Sequence, residues 1–377
     1  MTKTNTLTTT THYELLDGLR GVAAILVVCY HIFEGYAFAG GGLIETLNHG
    51  YLAVDFFFIL SGFVISYAYD NRWKSKFTIK DFFKRRLIRL HPMVIMGAII
   101  GAISFVIGGS KQWDGTHIAI SSTMLALLCA MFLIPAVPGQ SNYEVRGNGE
   151  MFPLNGPSWS LFFEYIGNIL YATLIRRFST KLLCIIVAIL SILHIWFATA
   201  NISQYGCIGV GWTLDTINFW GGMLRMLLPF SIGALISRKY KPIKIHGAFW
   251  ICSATLIVIF SIPYINEYNG IHINGIFESI CVIFVFPILL WLGASEKSTN
   301  KKQTTLYRIL GDLSYPLYIV HYPIMYLFYQ WLIDNKLYTF SETWPVALSA
   351  IISSVILAYI CLRFYDTPIR KYLSNKS

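Results

Sequence analysis

Gly50-Tyr51-Leu52-Ala53-Val54-Asp55-Phe56-Phe57-Phe58-Ile59-Leu60-Ser61-Gly62-Phe63-Val64-Ile65-Ser66-Tyr67-Ala68-Tyr69 runs for 20 residues with one charge, Asp55. An α-helix needs about 20 mostly apolar residues to cross a bilayer. Ten further stretches of the 377-residue chain are comparably apolar, near 15–37, 92–109, 118–137, 158–175, 181–200, 218–237, 247–265, 273–294, 309–333 and 345–364. Composition agrees, with 55% hydrophobic residues, 13% charged residues and a mean hydropathy of +0.57. Soluble domains carry about 25% charged residues. This chain cannot cover a water-facing surface, which excludes a soluble enzyme, a disordered chain and a secreted disulfide scaffold. A β-barrel is excluded too, because its strands alternate in ~10-residue segments. The sequence describes an all-α polytopic membrane protein with eleven apolar candidates.

Lys and Arg number 29 against 19 Asp and Glu, a net charge of +10. In a membrane protein that excess marks cytoplasmic loops and not a nucleic-acid partner. Residues 70–91 hold Arg72, Lys74, Lys76, Lys80, Lys84, Arg85, Arg86 and Arg89. Further clusters are Arg176, Arg177 and Lys181; Arg238, Lys239, Lys241 and Lys244; Lys297, Lys301, Lys302 and Arg308; and Arg370, Lys371 and Lys376. Residues 38–50, 201–217 and 266–272 have no Lys or Arg and read as external. This pattern closes with about ten spans and both termini cytoplasmic if one of 92–109, 118–137 or 158–175 does not cross fully. Residues 138–157, polar and rich in Gly and Pro, suit an external or re-entrant loop.

A polar tail over 1–12, one membrane domain over 13–372 and a short tail over 373–377 make up the expected organisation. The Thr-rich start has no cleavage site after an apolar run and is not read as a signal peptide. The seven cysteines lie almost all in apolar runs without metal-ligand or Cys-x-x-Cys spacing, so they read as small core residues, and no metal is expected.

Charge inside a bilayer costs at least ~2.5–3.5 kcal/mol near its centre and marks candidate functional residues. The first segment carries Asp17 and Arg20, then His31 eleven residues later. At 100° per residue Arg20 and His31 share a helix face, roughly 16 Å apart along the axis. A snorkelling arginine and a histidine satisfied within the bundle would explain the pair without chemistry. Asp55 lies near the outer end of the second segment, where Ser61-Gly62 permits close helix approach. Arg86 and Arg89 share a face before Pro92 and can grip phosphate, although topology and anionic headgroups explain most of that basic cluster. In Pro157-Ser158-Trp159-Ser160-Leu161-Phe162-Phe163-Glu164, Ser158 can cap the helix. Glu164 and Arg225 are each isolated in apolar segments, and a buried Glu164–Arg225 pair is the simplest account of both. Glu278 and His194 are buried polar groups to which the sequence assigns no partner. His321, in Ser314-Tyr315-Pro316-Leu317-Tyr318-Ile319-Val320-His321-Tyr322-Pro323, reads more as a hydrogen-bonded bundle residue than as a catalyst.

Together these motifs resemble the membrane acyltransferase-3 family, which O-acylates bacterial surface glycans and some small molecules. The likeness runs from about Tyr13 to Tyr372. Its most specific part is Leu16-Asp17-Gly18-Leu19-Arg20-Gly21 followed by His31. Arg86-x-x-Arg89-x-x-Pro92, Trp159-Ser160-Leu161-x-x-Glu164 and the His321 segment also fit. So does Tyr365-Asp366-Thr367-Pro368-Ile369-Arg370-Lys371, with Asp366 where the family more often has glutamate. No fused hydrolase-like domain, which some members carry, is expected.

The resemblance implies an acyl-CoA co-substrate, usually acetyl-CoA, with no permanently bound cofactor. The acceptor would be a hydroxyl of a surface carbohydrate or glycolipid precursor, at the bacterial inner membrane among membrane lipids and glycan-assembly partners. It implies His31 as general base, by direct transfer or through an acyl-histidine. Arg20 would neutralise donor phosphate or polarise the carbonyl, and Arg86 and Arg89 would bind coenzyme A. Glu164 would orient His31 or anchor the acceptor, while Asp17, Asp55, Trp159, Arg225 and His321 remain substrate or structural positions. A transporter or flippase of glycan or lipid intermediates is the alternative, but it favours inverted repeats, and none is visible. A membrane glycosyltransferase would need external carboxylates, and Glu45, Glu144 and Glu150 form no compelling arrangement.

Overall fold

A computed structural model describes residues 13–40, 47–243, 245–265, 267–296 and 301–376. The polar tail over 1–12, together with Glu45, Lys244 and Lys297, lies outside the described residues. The described chain is helical, with no strand beyond isolated bridges. The helices are α1 (Glu14–Ala39), α2 (Ala53–Tyr69), α3 (Ile79–Ile107), α4 (Ile120–Met131), α5 (Ser158–Thr173), α6 (Thr180–Thr199), α7 (Thr216–Lys239), α8 (Ala248–Ser261), α9 (Ile273–Ile280), α10 (Phe286–Ser295), α11 (Lys301–Asn335), α12 (Phe340–Cys361) and α13 (Thr367–Asn375). Short π turns join α9 to α10 and α12 to α13. Among the described residues, 7 helical stretches are long and apolar enough to cross a membrane. They are α1, α2 with its flanking turns, α3, α6, α7, α9–α10 and α12–α13.

The departures from the apolar candidates have physical causes. The basic segment before Pro92 is helix, not loop, because Thr78 and Asp81 form a reciprocal capping box that starts α3 at Ile79. α4 has only 12 residues, a rise of about 18 Å, which makes it the shortest of the three alternatives for the segment that fails to cross. α11 is the longest helix at 35 residues yet is not among the 7. It runs along α1 and also touches α3 and α12. Tyr318, His321, Tyr322, Tyr326 and Tyr329 are buried within it, so its sequence answers to protein neighbours and not to lipid. α2 and α7 cross closely at glycines. A Cβ on Gly62 would meet the Phe230 carbonyl oxygen at 2.0 Å, and one on Gly233 the Ile59 oxygen at 2.1 Å.

Candidate active site

The side chains at the basic end of the bundle line a cavity of about 690 Å³. α1 supplies Arg20, whose Nε donates to Ser314 Oγ at 2.8 Å and whose Nη2 donates to the Gly311 carbonyl at 3.0 Å. Asp17, one turn earlier, pairs with the same guanidinium at 3.0 Å. α3 supplies Arg86 and Arg89. Arg86 Nη2 meets Glu164 Oε1 at 2.7 Å and its Nε donates to Asn168 Oδ1 at 2.8 Å, while Ser61 Oγ donates to the same carboxylate oxygen at 2.6 Å. Arg308 on α11 lies 3.9 Å from Glu14. Among the described residues, Arg89 has no carboxylate within ion-pair distance. It therefore has donors to offer an anion, as has Arg308, whose one ion pair is long.

A second cavity of about 530 Å³ opens at the other end of α1. There His31 Nδ1 lies 2.7 Å from Glu34 Oε2, one helical turn on. With Nδ1–H donating to the carboxylate, Nε2 carries the free lone pair. Glu34 also accepts from the hydroxyls of Tyr30 at 3.2 Å, Tyr322 at 3.3 Å and Tyr329 at 3.1 Å. The Tyr322 ring stands edge-on to His31 at 4.7 Å, and the His321 ring stacks behind His31 at 5.1 Å. His321 Nδ1 is spent on the Leu317 and Tyr318 carbonyls at 3.1 and 3.0 Å. Toward the middle of the bundle the cavity wall carries Arg225, which bonds Asp55 at 2.6 Å and the Val210 carbonyl at 2.8 Å, with Trp159 5.1 Å from its guanidinium. Part of the remaining wall is irregular chain between α4 and α5, where Tyr326 donates to Glu150, and part is the α6–α7 connection, with Tyr205, Cys207 and Trp212. Burial pushes the Glu150 carboxyl up to about 7, against the opposing pull of its Tyr326 hydrogen bond and of Arg146.

Val54 and Tyr318 line both cavities. Tyr318 is held by a 2.7 Å hydrogen bond between its hydroxyl and Ser160 Oγ and by an edge contact with Phe57 at 5.4 Å. The two chambers thus meet at Val54 and Tyr318, with arginines in one and a histidine–glutamate dyad in the other. That is the layout for joining two substrates that approach from opposite ends.

The family model described as an acyltransferase domain, acyltransferase-3, matches residues 13–363. This chain belongs to the acyltransferase-3 family. It is 26% identical over 369 residues to the O-acetyltransferase OatA of Staphylococcus aureus, covering 94% of this chain and 57% of that protein. It is likewise 26% identical over 372 residues to the peptidoglycan O-acetyltransferase OatA of Listeria monocytogenes, covering 94% of this chain and 55% of that protein. A match of 33% over 184 residues, 47% of this chain and 90% of the other, links it to Protein 2 in picA locus of Rhizobium radiobacter. The chain thus spans little more than half the length of the two O-acetyltransferases. No solved structure matches. Family and apolar helices together make this an integral membrane protein.

The acyltransferase-3 chain corrects several sequence expectations. Glu164 and Arg225 do not pair: Glu164 belongs to Arg86, and Arg225 to Asp55. Asp55 sits in the first turn of α2, facing α7, while Glu164 lies farther toward the basic end. Glu164 does not orient His31 either, since it lines the other cavity, and Glu34 takes that place. Arg20 likewise lines the arginine chamber and not the one holding His31. Ser158 does not cap α5; Pro157 stands at the cap and no side chain bonds there. Partners exist for Glu278, which accepts from Tyr51 and from the Ile208 N–H at 2.6 Å, and for His194, whose Nδ1 lies 3.3 Å from Ser279 Oγ. Glu34 is the residue that sequence reasoning passes over. Its signal is present: a carboxylate inside the first apolar segment, three residues after His31 and so on the same face.

Proposed function

We propose that this protein transfers an acyl group, acetyl by analogy with the names of its relatives, from acyl-CoA to a hydroxyl of a cell-surface carbohydrate or its lipid-linked precursor. It would do so in the bacterial cytoplasmic membrane, with both termini and the arginine chamber on the cytoplasmic side and about ten spans. The observation that carries this reading is the His31–Glu34 dyad at 2.7 Å, facing a chamber that meets the arginine chamber at Tyr318. Arg89, with Arg20 and Arg86 around it, would hold coenzyme A phosphates. The extended pantetheine arm would then lead past Tyr318 toward His31.

His31 Nε2 would take the acceptor hydroxyl's proton as that oxygen bonds to the thioester carbonyl carbon. The carbon–sulfur bond then breaks, and the departing thiolate takes the proton from His31. Glu34 would hold the ring and stabilise the transient imidazolium, the role a carboxylate plays in triads.

The test uses purified protein with radiolabelled acetyl-CoA, scoring coenzyme A release and label on envelope glycan isolated from a deletion strain. Transfer is expected, with Arg89→Ala raising the donor KM at normal membrane yield. Arg86→Ala should lower the yield as well, because it leaves Glu164 unpaired. No release of coenzyme A by the wild type would remove the reading.

A further inference from the structure

The segment between α4 and α5 is irregular backbone packed into a membrane bundle, which is tolerated only where protein buries it or where it lines a cavity. Here it does both. Arg146 is buried and pins the segment, its Nε donating to the Pro153 carbonyl at 2.8 Å and its guanidinium resting 3.5 Å from the Tyr326 ring centre and 5.2 Å from that of Trp113. Asn148 and Glu150 from this segment, with Trp113 from the α3–α4 connection, line the His31 chamber. The wall is coupled to the dyad through rings. Tyr326 donates to Glu150, Tyr322 stands edge-on to Tyr326 at 4.6 Å, and Tyr322 stands edge-on to His31 at 4.7 Å.

An indole beside a planar amide and a carboxyl is the chemistry that receives a pyranose. The ring's C–H face lies on the aromatic, and its hydroxyls fork onto the polar groups. An apolar acyl chain would have no use for Asn148 and Glu150. Resting on the acyl-transfer reading, we propose that Trp113, Asn148 and Glu150 form the acceptor's pyranose subsite and set which hydroxyl reaches His31.

Purified variants are assayed with acetyl-CoA at saturation and envelope polysaccharide from a deletion strain as the varied acceptor. Coenzyme A release without polysaccharide, in which water takes the acetyl group as acetate, is measured in parallel as the control for folding and donor binding. Trp113→Ala is expected to raise the polysaccharide KM by at least about ten-fold and to lower polysaccharide-dependent release far more than polysaccharide-independent release. Trp113→Phe, which keeps a ring, should retain most of the affinity. Glu150→Gln and Asn148→Leu should change which hydroxyl carries the acetyl group, read by mass spectrometry of the product. A wild-type polysaccharide KM in both Trp113→Ala and Glu150→Gln overturns the subsite. An equal fall in polysaccharide-dependent and polysaccharide-independent release also overturns it, because the effect is then on the fold or the donor. If the wild type itself releases no coenzyme A, the acyl-transfer reading fails and takes the subsite with it, a result visible before any variant is made.

Discussion

His31 and Glu34 sit one turn apart on α1, and both carboxylate oxygens of Glu34 are engaged, by His31 or by a tyrosine. His31→Ala is therefore expected to lower transfer by at least ~10²-fold at normal membrane yield and donor KM, as loss of a general base does. Glu34→Gln keeps the volume but removes the charge that steadies a protonated ring. It should lower kcat by at least about ten-fold and move the pH profile of kcat, whereas a packing role would leave that profile in place. His321→Ala should cost less, since its Nδ1 is already bound to backbone carbonyls. Glu150 carries a second test. The groups facing it are the Tyr326 hydroxyl, Arg146, the Asn148 amide and, farther off, Glu34. Its pKa is raised from 4.5 to about 7 in the fold, so the unfolded chain releases this proton first as pH rises. The stability it contributes is complete below pH 4.5 and is lost as pH climbs through about 7. Thermal unfolding in detergent should show a downward slope over that interval, and Glu150→Gln should flatten it relative to wild type. An unchanged slope in the variant would place the titration elsewhere.

α2 and α7 show how a pair of elements is held together by direct backbone contact and one buried ion pair. Gly62 and Gly233 let the backbones touch, and Arg225 on α7 closes the contact by pairing with Asp55 on α2 at 2.6 Å, both side chains buried. Removing either partner leaves a buried charge and is expected to destabilise by roughly 3–5 kcal/mol, while Asp55→Asn with Arg225→Met together should recover much of the folded yield. Folded yields that stay normal in both single variants would mean that the pair does not hold these helices. The same pair marks the boundary of what the sequence makes legible. Helix positions follow from local rules: apolar length, the Thr78–Asp81 cap and the motif arginines on one face all announce themselves. Which buried charge meets which depends on the order in which helices pack. That order is set by non-local fits such as the Gly62–Phe230 contact, and no single segment carries it. Glu164 and Arg225 are equally isolated in sequence, yet they end near different helices. The site divides the same way. His31, Arg20 and Arg89 are readable from position on their own helices. The Tyr322 and Tyr329 hydroxyls on Glu34 need α11 brought beside α1, and the Tyr326–Glu150 bond needs the α4–α5 segment folded inward as well.

For the whole molecule, orientation decides which substrate enters which chamber. The basic clusters of α3, α7 and α11 gather at the end where the arginine chamber opens, and the orientation proposed above, drawn from the positive-inside rule, has that end in the cytoplasm. Single cysteines in a cysteine-free background provide the measurement. A label at 376 should stay hidden from an impermeant reagent applied outside, and one in 201–215 should react; the reverse pattern would turn the molecule over and exchange the roles of the chambers. That arrangement has a cost for the cell. Val54 and Tyr318 are the side chains that line both chambers, and Tyr318, fastened to Ser160 and Phe57, is the larger part of the partition between them. With the proposed orientation, in which the chambers open on opposite compartments, this tyrosine would also have to keep protons and ions from crossing between them. Tyr318→Gly in proteoliposomes loaded with a pH-sensitive dye is expected to collapse an imposed proton gradient faster than wild type. On the acyl-CoA reading proposed above, added acetyl-CoA should restore the seal by plugging the passage.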